Sequence, residues 1–233
     1  MSTATPGTGI KYMLGIDVES TGQCMRTNFM PRFGAALVCI ESGATLEKFS
    51  TFVLPPTREH VWEPRCLSEF WLTPSVRPRY DEILKALTTD AENTPTLEKA
   101  GENFVEWIQE LCTRYGSDTM MIVSDTAGYD YAWLQTAMPA GTSLQYVFNN
   151  VYRPTMAVSN FYGGVARTTP ETALFDLLGL CCRHLGIEKP VTPGGVVHDH
   201  SPQNDAETIA YEACAVFRAL AQTTASATAA AAV

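Results

Sequence analysis

The sequence predicts a single domain of mixed α/β type. Three observations carry that expectation. Apolar runs of strand length cluster near the N-terminus, amphipathic stripes at spacings of three and four follow them, and no internal repeat or linker divides the chain. The 233 residues suffice for one substantial core, and 45% apolar with 18% charged residues is an ordinary globular composition. The expected division is a disordered start over residues 1–9, the domain over 10–222, and a low-complexity, alanine-rich tail over 223–233.

Tyr12 to Val18, Phe33 to Ile40 and Phe49 to Leu54 read as strands, with turn signals at Glu41 to Ala44, so the chain should open with a meander. Pro55 and Pro56 break the pattern, and an irregular stretch runs through Trp62, Pro64, Phe70, Trp71 and Pro74. Leu97, Ala100, Phe104, Trp107, Ile108, Leu111 and Tyr115 form the stripe of a helix lying on a sheet, and Thr94 and Pro95 suit its start. Met120 to Ser124 reads as a buried strand, continued by a helix over Tyr129 to Met138. Thr169, Pro170 and Glu171 suit a helix cap, followed by a stripe of Leu174, Leu177, Leu178, Cys181 and Leu185 that ends at Gly186. Asn204 with Glu207 resembles a capping box, and Ala206, Ile209, Ala210, Ala213, Val216, Phe217 and Leu220 give the last helix its buried face. Beyond Gln222 nothing large is left to bury, so that end is expected to fray.

Composition narrows the function. The longest apolar stretches fall far short of the ~20 residues of a membrane-crossing helix, so no membrane role is expected. Met1 to Gly9 lacks the basic and apolar zones of a secretory signal. The seven cysteines are odd in number, show no CxxC spacing, and include Cys39, Cys181 and Cys214 inside apolar runs. A reduced protein of an intracellular compartment, cytoplasm or nucleus, is the expectation, and secretion is not. A net charge of −9 argues against coating nucleic acid through a broad basic face. It does not exclude a nucleic-acid substrate, because carboxylate-held cations can reverse the local field.

The strongest local signal lies on the first strand. Leu14, Ile16 and Val18 should point one way and Gly15, Asp17 and Glu19 the other. Carboxylates two residues apart on a strand, roughly 6 to 7 Å at the backbone, can converge on one cation or on neighbouring ones. An isolated DxE is most often a solvated sheet face. Here it runs into the small-residue turn Ser20-Thr21-Gly22, whose backbone N–H groups and hydroxyls can meet a phosphate or sugar.

This Asp17-Val18-Glu19-Ser20-Thr21-Gly22 segment resembles the first motif of the DEDDh exonucleases of the ribonuclease-H-like superfamily. Their second motif ends in an aromatic residue and Asp, as Tyr129-Asp130 does after the strand ending at Ser124. Their third is His, four residues, then Asp, as His200 and Asp205 are at the mouth of the last helix. The matches keep the family order and span Leu14 to Ala213. The resemblance implies an α/β, ribonuclease-H-like fold with a five-stranded mixed sheet in the order 3-2-1-4-5, flanked by helices. It implies a hydrolase, a 3′→5′ exonuclease that releases nucleoside 5′-monophosphates from single-stranded or 3′-ended DNA or RNA. Asp17, Glu19, Asp130 and Asp205 then correspond to the acids that hold two divalent ions, Mg²⁺ or Mn²⁺, which suit oxygen ligands. His200 corresponds to the general base. Thr21, Gly22 and Trp71 are candidate substrate contacts, and a homodimer is among the assemblies considered.

His198-Asp199-His200 could also seed a zinc site, although no further histidine or cysteine pair offers the remaining ligands. Trp62, Phe70, Trp71 and Tyr129 could stack on bases or pack in a core. Two rival functions are a catalytically silent binding or interaction module that keeps the fold, and a metal-dependent phosphoesterase acting on small nucleotides.

Overall fold

A computed structural model describes residues 9–143, 156–158, 162 and 177–231. Strand β1 (Tyr12–Glu19) pairs antiparallel with β2 (Arg32–Cys39), which pairs antiparallel with β3 (Thr45–Phe52). The meander turns at Gly43, whose φ of 70° suits a residue without a β-carbon. Cys39 and Ala44 close that turn with an N–H to carbonyl bond of 2.9 Å, so β3 starts at Thr45 and not at the expected Phe49. The charged Glu47 and Lys48, which masked the strand in the sequence, suit the edge of a sheet.

Strand β4 (Met120–Ser124) adds parallel to β1 on its other side, giving the order β3-β2-β1-β4. This part of the expected order is met. Beyond it, the two residues of β5 (Met156–Ala157) pair parallel with Val123 and Ser124, and the fifth strand is described for those two alone.

The irregular stretch turns out to be largely helical. Helix α1 (Pro64–Cys66), capped by the Glu63 carboxylate, leads into a π-helical turn at Leu67–Trp71 and then α2 (Arg77–Thr88). Helix α3 (Leu97–Tyr115) has the expected limits, but its cap is Thr96, whose side chain accepts the Lys99 N–H at 3.3 Å. Helix α4 covers Ala127–Thr136 and α5 covers Leu177–Leu185, ending at Gly186 with φ 67°. The expected cap at Thr169 to Glu171 lies outside the described residues.

The last helix, α6 (Pro202–Ala231), begins two residues before Asn204. Glu207 does not close a capping box. It reaches across to β3, accepting from Thr45 Oγ1 at 2.6 Å and pairing with Lys48. The alanine-rich end, expected to fray, continues the helix, in line with alanine's high helix propensity.

Both faces of the sheet are covered. Leu14, Ile16, Phe33 and Leu37 pack under Phe104, Ile108 and Leu111 of α3. Met13, Val38 and Val123 pack under Ile209, Ala213 and Val216 of α6. The expected alternation of β1 therefore holds, and Asp17 and Glu19 lie on the α6 side. Two glycines let α6 approach. A β-carbon at Gly15 would stand 1.9 Å from the Ala206 carbonyl oxygen, and one at Gly34 2.5 Å from the Gln203 nitrogen. Among the described residues no helix is long and apolar enough to cross a membrane, and no disulfide joins any of the seven cysteines.

Candidate active site

The close approach of α6 to β1 brings its first turn against the C-terminal end of the strand. One carboxylate oxygen each from Asp17, Glu19 and Asp205 lies within 4.8 Å of the others. Asp17 is half-buried and Glu19 buried. Burial, followed by the negative charges of Glu19, Asp130 and Asp205, pushes the Asp17 carboxyl well above the usual range. Burial and then Asp205 do the same to Glu19, opposed by the positive charge of Arg32.

Asp130, in the first turn of α4, completes the group. It is buried, and its pKa is pushed up to about 6, first by burial. Ser124, the last residue of β4, holds it in place, its hydroxyl donating to Oδ2 at 2.8 Å. Burial likewise pushes Asp205 up to about 6. Both Asp205 oxygens are engaged by the loop before the helix, accepting the N–H of Asp199 at 2.8 Å and of His200 at 3.0 Å.

His200 stands at the rim. Its Nδ1 is 3.9 Å from Glu19 Oε1, and its ring meets Phe70 edge to face with centroids 4.8 Å apart. Burial lowers its pKa, keeping the imidazole neutral near pH 7, the state of a base. Its φ of 59° is unusual for a residue other than glycine and is held from outside the loop. Arg79 of α2 donates to the Asp199 carbonyl at 3.2 Å and pairs with the Asp199 carboxylate. The five motif residues thus come together, as the motif spacing requires.

A cleft of about 750 Å³ opens beside Glu19, between the Gly22–Asn28 turn and the Glu63–Phe70 segment. Gly22, Phe70 and Tyr129 line it. Two candidate contacts are corrected. Trp71 is 0% exposed, because the π-helical turn swings its indole inward, where Nε1–H donates to the Ser20 carbonyl at 3.0 Å. Thr21 is equally buried, its hydroxyl accepting the Phe29 N–H and donating to the Val61 carbonyl, both at 3.0 Å. These residues brace the turn and do not face the cleft. Sequence reasoning missed Ser124, Arg79 and the place of Phe70. Only Ser124 had a usable signal, as the polar end of an apolar strand.

The donor set is all oxygen, carries negative charge that neighbouring side chains do not balance, and so fits hard divalent cations such as Mg²⁺ or Mn²⁺.

No protein-family model and no curated protein matches the chain. Solved structures do share its architecture. A full-length 3′-exonuclease superposes with a TM-score of 0.55 at 14% identity, over 90% of this chain and 61% of the other. The nuclease domain of 3′hExo, a DEDDh family member bound to rAMP, gives 0.54 at 14% identity, over 90% and 92%. The fold is that of the DEDDh 3′→5′ exonucleases. E. coli exonuclease I in complex with a dT13 oligonucleotide has this DEDDh fold too, with a TM-score of 0.50 at 14% identity, over 88% and 41%. The chain thus spans about three fifths of the full-length 3′-exonuclease and two fifths of exonuclease I. Nothing in these likenesses supports a homodimer.

Proposed function

We propose that this protein is a metal-dependent 3′→5′ exonuclease that hydrolyses phosphodiester bonds of DNA or RNA and releases nucleoside 5′-monophosphates. The observation that carries the reading is the meeting of Asp17, Glu19 and Asp205 within 4.8 Å, with Asp130 and His200 beside them. The likeness to a DEDDh nuclease domain with rAMP bound and to exonuclease I bound to dT13 supports it. So does the wall of the cleft, where Glu19, Glu63 and Glu69 stand and Arg65 is engaged by Glu69 at 2.7 Å. Phosphate would be repelled there unless cations intervened.

Asp17, Glu19, Asp130 and Asp205 would hold two divalent ions, which supply the Lewis acidity that makes water a nucleophile and stabilises a leaving 3′ oxygen. His200 takes the proton from the attacking water, a task suited to a neutral imidazole at the rim. The Arg79–Asp199 pair and the Phe70 ring keep that imidazole aimed at the acids. Gly22 and Tyr129 border the space for the terminal nucleotide. Cleavage yields a 5′-phosphate and a new 3′ hydroxyl.

The test is incubation with 5′-labelled single-stranded DNA and RNA in Mg²⁺, Mn²⁺ or EDTA, beside Asp17→Ala and His200→Ala. A ladder shortening from the 3′ end only with metal, and lost in both variants, is expected. No cleavage of either polymer would leave the silent module. Cleavage of nucleotide esters alone would leave the small-nucleotide phosphoesterase.

A further inference from the structure

The exonuclease reading uses His200 and Asp205 and gives His198 no task. The His198 side chain is 44% exposed, so packing does not account for it, yet its Nε2 stands 3.3 Å from Asp205 Oδ2. Its ring lies edge-on to that of His200, with centroids 5.1 Å apart. One nitrogen of each histidine and one oxygen of Asp205 lie within 4.8 Å of one another. Asp205 is the third ligand that the local sequence His198-Asp199-His200 lacks.

The spacing can be compared with a real site. Two ligands each ~2.05 Å from a tetrahedral zinc ion stand about 3.3 Å apart. The His198–Asp205 pair already has that separation, and a modest ring rotation brings His200 in. Two imidazoles and one carboxylate leave the fourth position to water. This donor set also differs in kind from the all-oxygen cluster next to it, because imidazole favours zinc and its neighbours whereas carboxylate suits magnesium. The frame is fixed before any ion arrives, since Asp205 accepts the Asp199 and His200 N–H groups and Arg79 grips Asp199.

We propose that His198, His200 and Asp205 form a second metal site that takes Zn²⁺ and, when filled, silences the nuclease. An imidazole whose lone pair is given to zinc has none left to accept a proton from water, and Asp205 is drawn from the acid cluster at the same time. The silencing rests on the exonuclease reading; the binding does not.

The test uses the full chain with Cys24→Ser, which removes an exposed thiol. It is titrated with Co²⁺, whose visible absorption separates four-coordinate from octahedral sites. One equivalent should give the four-coordinate spectrum, bleached by Zn²⁺ and untouched by excess Mg²⁺. His198→Asn should lose the spectrum and Asp17→Asn keep it. In Mg²⁺-supported cleavage, Zn²⁺ should inhibit, and His198→Asn should need at least about tenfold more of it. A spectrum that survives His198→Asn, disappears in Asp17→Asn, or is octahedral throughout overturns the site. Zinc binding without inhibition overturns the silencing. If no metal supports cleavage, the exonuclease reading fails, and the spectra still decide the zinc site.

Discussion

Replacing Gly15 by alanine tests how the site is assembled, because it acts on the spacing between β1 and α6 without touching a functional group. The added methyl carbon would stand 1.9 Å from the Ala206 carbonyl oxygen and 3.1 Å from the Ala210 β-carbon. Contacts under 3.0 Å do not occur, so the helix backbone must retreat by about 1.1 Å. The struck carbonyl belongs to the residue after Asp205, so that carboxylate moves with it. Overpacking of this kind costs about 1–3 kcal/mol. A midpoint shift of roughly 2–4 °C per kcal/mol then lowers Tm by about 2–12 °C. A displacement near 1 Å at a reacting centre costs on the order of 10²-fold in rate. Thermal melts and metal-supported cleavage of a labelled oligonucleotide measure both, and kcat should fall well beyond what lost folded protein explains. A variant with unchanged Tm and activity within about twofold of the parent would refute the argument that Gly15 sets the position of Asp205.

Further expectations concern charge, pH and the histidine loop. Asp130→Asn should lower cleavage by on the order of 10²-fold or more. The same change should raise the metal-free melting temperature at pH 7, because it removes a buried charge that repels its neighbours; a lower Tm would count against the electrostatic account. Asp130 and Asp205 have folded pKa values of about 6, above the unfolded ~3.9, so the native state binds more protons between those limits. Stability in EDTA should therefore fall as pH rises from about 4 to about 6, and Mg²⁺ should restore it at pH 7, measured by calorimetry. Arg79→Ala frees the loop that carries His200 and should lower kcat by roughly 10–100-fold with KM little changed. Trp71→Ala should cost about 3–5 kcal/mol in denaturant unfolding, since it empties a buried site and strips the Ser20 carbonyl of its donor.

What could be read from the sequence was whatever local periodicity encodes. The alternation of Leu14, Ile16 and Val18 against Gly15, Asp17 and Glu19 set the face of β1, and the stripe from Leu97 to Tyr115 set α3 to the residue. The motif acids were legible because their spacing along the chain reflects where strands end and helices begin. Helix α2 was not legible, because Pro78 in its first turn reads as a breaker although proline is tolerated there. Trp71 was misplaced for a related reason. The Leu72 N–H bonds to the Leu67 carbonyl at 2.9 Å, a step of five residues, and that wider turn changes which of two adjacent aromatics faces the cleft. Glu207 shows the limit most plainly, since its partners Thr45 and Lys48 lie about 160 residues earlier and nothing local announces them.

The net charge of −9 and the proposed phosphate chemistry are reconciled by the site's own lack of compensation. The one cation named as acting on Glu19 is Arg32, and that guanidinium is already spent on Glu82 at 3.2 Å and Gln203 at 3.1 Å. The four acids therefore face one another across a buried space with protons or divalent cations left to balance them, and near pH 7 protons are scarce. A cluster that is costly when empty and relieved when filled couples folding, metal uptake and substrate attraction. The phosphate-attracting field then arises with the bound ions, so an acidic protein can act on a polyanion without a basic surface.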